Sequence, residues 1–468
     1  MKKEENIVVA QPKNESSKPS NNMVTQQPEQ KLKLNAKRTM YIGLAFFTIM
    51  MLWQVYNTYC PLFLSDYFVK TFGGSAEKYS YLVGIIMAMD NIFALFMIPL
   101  FGMWSDRTRT RLGKRMPFIV VGVVASVIIF PLIPVMFITN NVPFMIVLMA
   151  LILLFMNAYR NPAVSLMPDI TPKPLRSKAN AIINVIGYVG AIFAGALALV
   201  FTAKEQGGEL VYDPSTIWIP FALTAVLMVV ALVVLLVKIR ENKLAVEMKE
   251  QMELGEKLSE TSEEISEDKP LNKKDRFNLV VLLISIFLWF FAFNAIETFG
   301  STYGVKVLEQ SSSWWGSAVI VMTICSLVGF FPGAWLADKI GRRNTIIIGL
   351  LMMVVMLGGA SIMAYTMGTK LAWVYYIMIG IAGVGWAWIN VNSYPMVVEM
   401  ANKKNIGKLT GWYYAASMLA QSITPICVGF LFGVMGYKFL FPYAVIFTAA
   451  ALLVFLFYKP QKHNKEEK

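Results

Sequence analysis

Charge is scarce in this chain of 468 residues: Asp, Glu, Lys and Arg make up 15% of it while 56% is hydrophobic, a balance that excludes a soluble protein of this length. Histidine is almost absent. The single one, His463, stands in the C-terminal tail, which removes any imidazole relay or histidine metal site from the apolar segments. The three cysteines, Cys60, Cys325 and Cys427, lie in separate apolar runs without metal-ligand spacing and read as packing residues. Also missing are a Gly-x-x-x-x-Gly-Lys-Ser/Thr phosphate loop, a zinc-type cluster and a Ser, His and Asp constellation. Nucleotide-driven work and enzymatic catalysis have no visible seat, so neither an enzyme nor a cofactor is expected. Strands of alternating polarity, the mark of a membrane barrel, are absent as well.

What the chain has in quantity is apolar sequence. A bilayer core about 30 Å thick takes about 20 apolar residues per helix. Runs of that size recur at 41–64, 80–101, 117–138, 143–167, 179–202 and 216–238, then at 277–299, 314–337, 344–366, 371–397, 409–433 and 439–458. They predict an all-α membrane protein of about twelve transmembrane helices in two six-helix bundles. The formal charge of +13 is a topology signal. Lys31, Lys33, Lys37 and Arg38 precede the first run, and alternate loops carry Arg107 to Arg115, Lys173 to Lys178, Lys339 to Arg343 and Lys403 to Lys408. Basic loops stay on the cytoplasmic side. A multi-pass protein of the cell membrane with both termini in the cytoplasm is therefore expected, and a nucleic-acid surface is not.

Residues 1–38 are polar and rich in Asn, Gln, Ser and Lys, which predicts a disordered cytoplasmic tail and not a cleaved signal. The first half is expected at 39–238, a Glu-, Lys- and Ser-rich cytoplasmic linker at 239–276, the second half at 277–458 and a short tail at 459–468. Two traces of duplication support the halves. Trp53-Gln54-Val55-Tyr56-Asn57-Thr58-Tyr59 in the first run is answered by Phe293-Asn294-Ala295-Ile296-Glu297-Thr298-Phe299 in the seventh. Trp104-Ser105-Asp106-Arg107 after the second is answered by Leu336-Ala337-Asp338-Lys339 after the eighth, with Ala334 aligning with Gly102.

The turn from Gly102 through Asp106 and Arg107 to Gly113, Lys114 and Arg115 resembles the signature loop of the major facilitator superfamily, and Asp338, Gly341 and Arg342 belong to its second copy. The resemblance implies a gating role for Gly102, Asp106, Arg107, Gly113, Arg115, Asp338, Gly341 and Arg342, in which an acid, its basic partners and a helix end latch the halves in one access state. The longer stretch from Ser105 to Phe118 resembles the glycoside-pentoside-hexuronide cation symporters, and within them the sucrose and maltose transporter branch. In the sucrose transporters the corresponding arginine follows the proline matched by Pro162; Arg160 stands one turn before that place on the same face. An acidic residue of their seventh helix is matched by Glu297. Sodium-binding acids of melibiose-type relatives correspond to Ala94 and Ile98, which are apolar, so a coupling proton is favoured over sodium.

Ionisable groups inside a bilayer cost at least about 2.5 kcal/mol and call for a partner or a purpose. Asp90, at the centre of the second run, is a candidate for the coupling proton or for substrate, with a structural pair inside the first half as the alternative. Arg160 and Glu297 are candidates for sugar hydroxyls and charge compensation; Glu297 also suits a snorkelling carboxylate. Asn57, Gln54 and Asn294 fit hydroxyl recognition or helix-to-helix contacts, and Trp53 could stack on a pyranose ring. The expected function is proton-coupled symport of a sugar, a disaccharide such as sucrose or maltose, by a monomer working through alternating access. The alternatives are an exporter of amphipathic small molecules or drugs and a non-transporting sugar sensor.

Overall fold

A computed structural model describes residues 32–206, 209–263, 272–367, 371–400 and 406–459. Most of the expected N-terminal tail, part of the linker, Lys403 and Lys404, and His463 lie outside the described residues. The first half contains α1 (Ala36–Phe72), α2 (Ser80–Arg107), α3 (Met116–Ile129), α4 (Leu132–Ile138), α5 (Val142–Asp169), α6 (Arg176–Val200) and α7 (Ile219–Lys238). Two short helices follow, α8 (Glu241–Glu247) and α9 (Lys249–Glu263). The second half contains α10 (Lys273–Lys306), α11 (Ser312–Ile340), α12 (Arg342–Thr366), α13 (Val374–Glu399), α14 (Ile406–Met435) and α15 (Leu440–Leu456).

Eleven spans, with α3 and α4 counted as one, are long and apolar enough to cross a membrane among the described residues. The 28-residue α2 lies between the first two of them and completes the twelve. Large apolar side chains project from their outer faces, including Phe96, Val121, Val226, Phe331, Val355 and Phe430. Only a lipid solvent tolerates such a surface, and helices suit it because they satisfy their own backbone. Two helices outrun their apolar runs: α1 has 37 residues and α10 has 34, carrying the paired first and seventh spans past the bilayer core at both ends. The third span breaks at Phe130 and Pro131, where the proline has no N–H to continue the ladder. A short antiparallel hairpin, β1 (Ala203–Gln206) and β2 (Glu209–Tyr212), joins α6 to α7.

The pairings repeat. In the first half α1 packs on α6 and α7, α3 on α5 and α7, and α2 on α5; in the second, α10 packs on α14 and α15, α12 on α13 and α15, and α11 on α13. Between halves α2 meets α14, α6 meets α11 and α1 meets α10, a two-fold arrangement that follows from duplicated six-helix units. One end of the bundle carries the basic loops and the described chain ends; the opposite, far end carries the hairpin.

The halves close on each other at the far end. Ser80 Oγ donates to Gly429 O at 2.6 Å, and Gly84 comes so close to α14 that a Cβ there would lie 2.1 Å from Pro425 O. Gly195 of α6 and Gly316 of α11 make the matching approach, where a Cβ on Gly195 would lie 2.8 Å from Gly316 O. The Tyr437 hydroxyl donates to Ala76 O at 3.2 Å, and Ser312 Oγ accepts from Ala203 N of the hairpin at 2.9 Å. Midway along the bundle Asn91 Nδ2 donates to Gln421 O at 3.0 Å. At the basic end, among the described residues, every ion pair stays within one half. Among the described residues, the contacts that draw the halves together therefore lie at the far end and midway, which fits one of the two arrangements alternating access requires.

Candidate functional site

The loop between α2 and α3 is built around Arg115. Its guanidinium reaches Asp169 Oδ2 through Nε at 2.8 Å and Asp106 Oδ1 through Nη2 at 2.5 Å, and also donates to Ser105 Oγ. Lys114 Nζ adds a second contact to Asp169 at 3.1 Å. Burial alone would lower the Arg115 pKa, but the hydrogen bonds and charges of Asp169 and Asp106 outweigh it and the pKa rises. Gly113 has φ +120°, and a Cβ there would lie 2.2 Å from Glu241 Oε2, so both backbone and space require glycine. Gly102 lets α2 approach α5: its Cβ would lie 2.3 Å from Asn161 Nδ2. Arg107 is exposed on the last turn of α2.

The second copy is thinner. Arg342 Nε pairs with Glu399 Oε1 at 2.6 Å, joining the start of α12 to the end of α13 as Arg115 joins the start of α3 to the end of α5. Asp338 is exposed and makes no ion pair among the described residues. Gly341, at φ +86°, caps α11, its N–H bonding Ala337 O at 2.9 Å. The close approach matching Gly102 is made by Gly333, whose Cβ would lie 2.7 Å from Trp388 Cδ1 on α13, while the aligned Ala334 is exposed. The register shifts by one residue because side-chain direction, not linear alignment, decides which position faces the neighbouring helix.

Inside the bundle, α1 and α10 bring the two repeated segments together, with Ser301 Oγ donating to Asn57 O at 3.3 Å. Gln54, Asn57 and Asn294 are all buried. The Gln54 Nε2 amide has no hydrogen-bond partner among the described residues, and Asn294 Oδ1 accepts from Thr298 Oγ1 at 3.4 Å. Arg160 of α5 lies over the Trp53 ring with its guanidinium carbon 4.7 Å from the centroid, a contact worth about 0.5 to 2 kcal/mol. On the repeat partner of Trp53, Phe293, the indole of Trp386 stacks at 3.9 Å. Glu297 is half-buried on α10 and its charge reaches Tyr188 of α6 in the opposite half. Asp90 sits on the middle of α2, and its side chain lies outside the described residues.

Sequence reasoning did not single out Asp169, Glu399 or Glu241 as site residues. The repeat held the signal for the first two, since Asp169 and Glu399 both end the helix two spans after each signature loop begins. Nothing local marks Glu241, which sits in a run of charges.

Known proteins share this fold. The sequence pattern of the Major Facilitator Superfamily matches residues 42–397. An isoprimeverose transporter of Lactiplantibacillus pentosus is 24% identical over 318 residues, 67% of this chain and 61% of that protein, so the chain spans less than two thirds of that relative's length. The class E tetracycline resistance protein of Escherichia coli is 23% identical over 363 residues, 76% of this chain and 79% of that one. Among solved structures, a D-xylose-proton symporter superposes with a TM-score of 0.64 at 15% identity, covering 91% of this chain and 97% of the other. The chain belongs to the Major Facilitator Superfamily: it is a multi-pass membrane transporter, not an enzyme.

Proposed function

We propose that the chain is a proton-coupled sugar symporter of the cell membrane, with the basic end in the cytoplasm, and that the arrangement described is its inward-facing state. The observation that carries the sugar reading is the stacked pair of Arg160 and Trp53; Gln54, next in sequence on α1, is buried with its Nε2 amide unpartnered among the described residues. A planar cation, an aromatic face and uncharged amides together suit a ligand that is rich in hydroxyls and carries no net charge. Kinship with an isoprimeverose transporter points the same way. A disaccharide such as sucrose or maltose is the expected cargo, Asp90 and Glu297 take the coupling proton or bind hydroxyls, and Arg160 sets their charge. Coupling by protons follows from the carboxylates available and from apolar Ala94 and Ile98.

The test is uptake into proteoliposomes under an imposed pH gradient, across sucrose, maltose, lactose and melibiose. Saturable accumulation that vanishes when the gradient is dissipated is expected, and its absence for the whole panel refutes the reading. Asp90→Asn should abolish accumulation while leaving exchange; full accumulation in that variant removes Asp90 from the coupling. Kinship with a tetracycline resistance protein, matched over more of both chains, favours a second reading as an exporter of amphipathic compounds. Drug resistance of an overexpressing strain, without sugar accumulation, would select it.

A further inference from the structure

The loop between α2 and α3 is fastened by a residue of the linker. Glu241 is the first residue of α8 and only 4% exposed. Its Oε1 accepts from Lys114 N at 2.9 Å and Arg115 N at 3.1 Å, and its Oε2 from Arg115 N at 2.9 Å and Met116 N at 3.0 Å. The neighbouring Asn242 Nδ2 donates to Thr110 O at 2.9 Å and Arg111 O at 3.0 Å. No side chain of the loop itself caps α3, so the orphan N–H groups and positive end of that helix are met by a carboxylate from another segment. Arg115 is gripped twice, by its backbone through Glu241 and by its guanidinium through Asp106 and Asp169.

The second half makes the same joint with opposite polarity. Arg343, at the start of α12, donates to Tyr458 O at 2.8 Å and Leu456 O at 2.9 Å, so there the cation of the loop grips the last carbonyl of α15 and one just beyond it. Among the described residues only the first half has its signature loop tied to the linker that joins the halves. The linker follows that half further along, where a Cβ on Gly255 of α9 would lie 2.8 Å from Pro172 Cβ.

The geometry points to Glu241 as a positioning residue of the gate. It holds the α2–α3 loop in the register that lets Arg115 bridge Asp106 and Asp169 within the first half, and so stabilises the state closed at the far end. Strain on the linker, which accompanies any rotation of one half against the other, reaches the loop through Glu241 and the neighbouring Asn242. The inference rests on alternating access and not on the identity of the cargo.

The experiment uses the full chain in nanodiscs, on a background without native cysteines. Spin labels at Phe72 and Met435 report the far end, and labels at Trp104 and Trp412 the basic end; all four positions are exposed and each pair spans the halves. Glu241→Gln removes the charge and half the acceptor capacity. It should raise the far-end-open population at least about fivefold, and Glu241→Asp should recover most of the wild-type ratio. Wild-type populations in Glu241→Gln, with or without a lower Tm, overturn the proposal and leave alternating access standing. A single distance at each end in the wild type under every condition, sugar included, overturns both.

Discussion

Gly84→Ala tests the closed far end with one methyl group. The added Cβ would lie 2.1 Å from Pro425 O, against the roughly 3.3 Å at which carbon meets a carbonyl oxygen, so α2 and α14 must part by about 1 Å. Overpacking of that kind costs about 1 to 3 kcal/mol, and all of it falls on the state in which the two helices touch. At about 1.4 kcal/mol per tenfold, the ratio of far-end-open to far-end-closed molecules should rise about 5- to 150-fold. That falls short of the roughly 5.5 kcal/mol needed to invert a 99:1 equilibrium, so the variant should populate both states and be measurable. The assay is the distance distribution between labels at Phe72 and Met435, with Gly411→Ala as the control, since among the described residues nothing beyond its own helix lies within 4 Å of its Cβ position. An unchanged distribution in Gly84→Ala, or an equal shift in Gly411→Ala, would falsify the assignment of this contact as a gate.

Arg115→Ala removes a guanidinium only 6% exposed, strands the 23% exposed Asp169 and should lower stability in detergent by about 3 kcal/mol, whereas Arg342→Ala, at a pair exposed on both sides, should cost less than about 1 kcal/mol; equal melting shifts would contradict the burial argument. Because the Arg115 pKa is raised, its contribution is complete at every pH below the ordinary arginine value and is lost only above it. The Arg115→Ala melting difference should therefore stay constant from pH 7 to about pH 10, and a decline over that interval would show that another group carries it. Trp53→Leu removes the stack under Arg160 and should raise the half-saturating sugar concentration about 2- to 30-fold, following the cation–π range; an unchanged value in uptake assays would place the sugar elsewhere.

The sequence by itself determined the membrane-spanning runs, the mainly helical class and the superfamily. A bilayer admits few solutions: an apolar run of about 20 residues that must satisfy its own backbone becomes a helix whatever its neighbours do. The signature loop was legible for a related reason, because Gly113 and Gly341 sit where φ is positive and Asp106 and Arg115 are charges adjoining helix ends. Which helices touch was not legible. The meeting of α2 with α14, the one-residue shift that gives Gly333 the role aligned to Ala334, and the reach of Glu241 back across more than 120 residues to three backbone amides all depend on side-chain direction in the packed bundle. So does the access state. One sequence must support at least two arrangements of its halves with similar free energy, and only the tertiary structure picks out the one in which Ser80, Gly84, Gly195 and Gly316 close the far end.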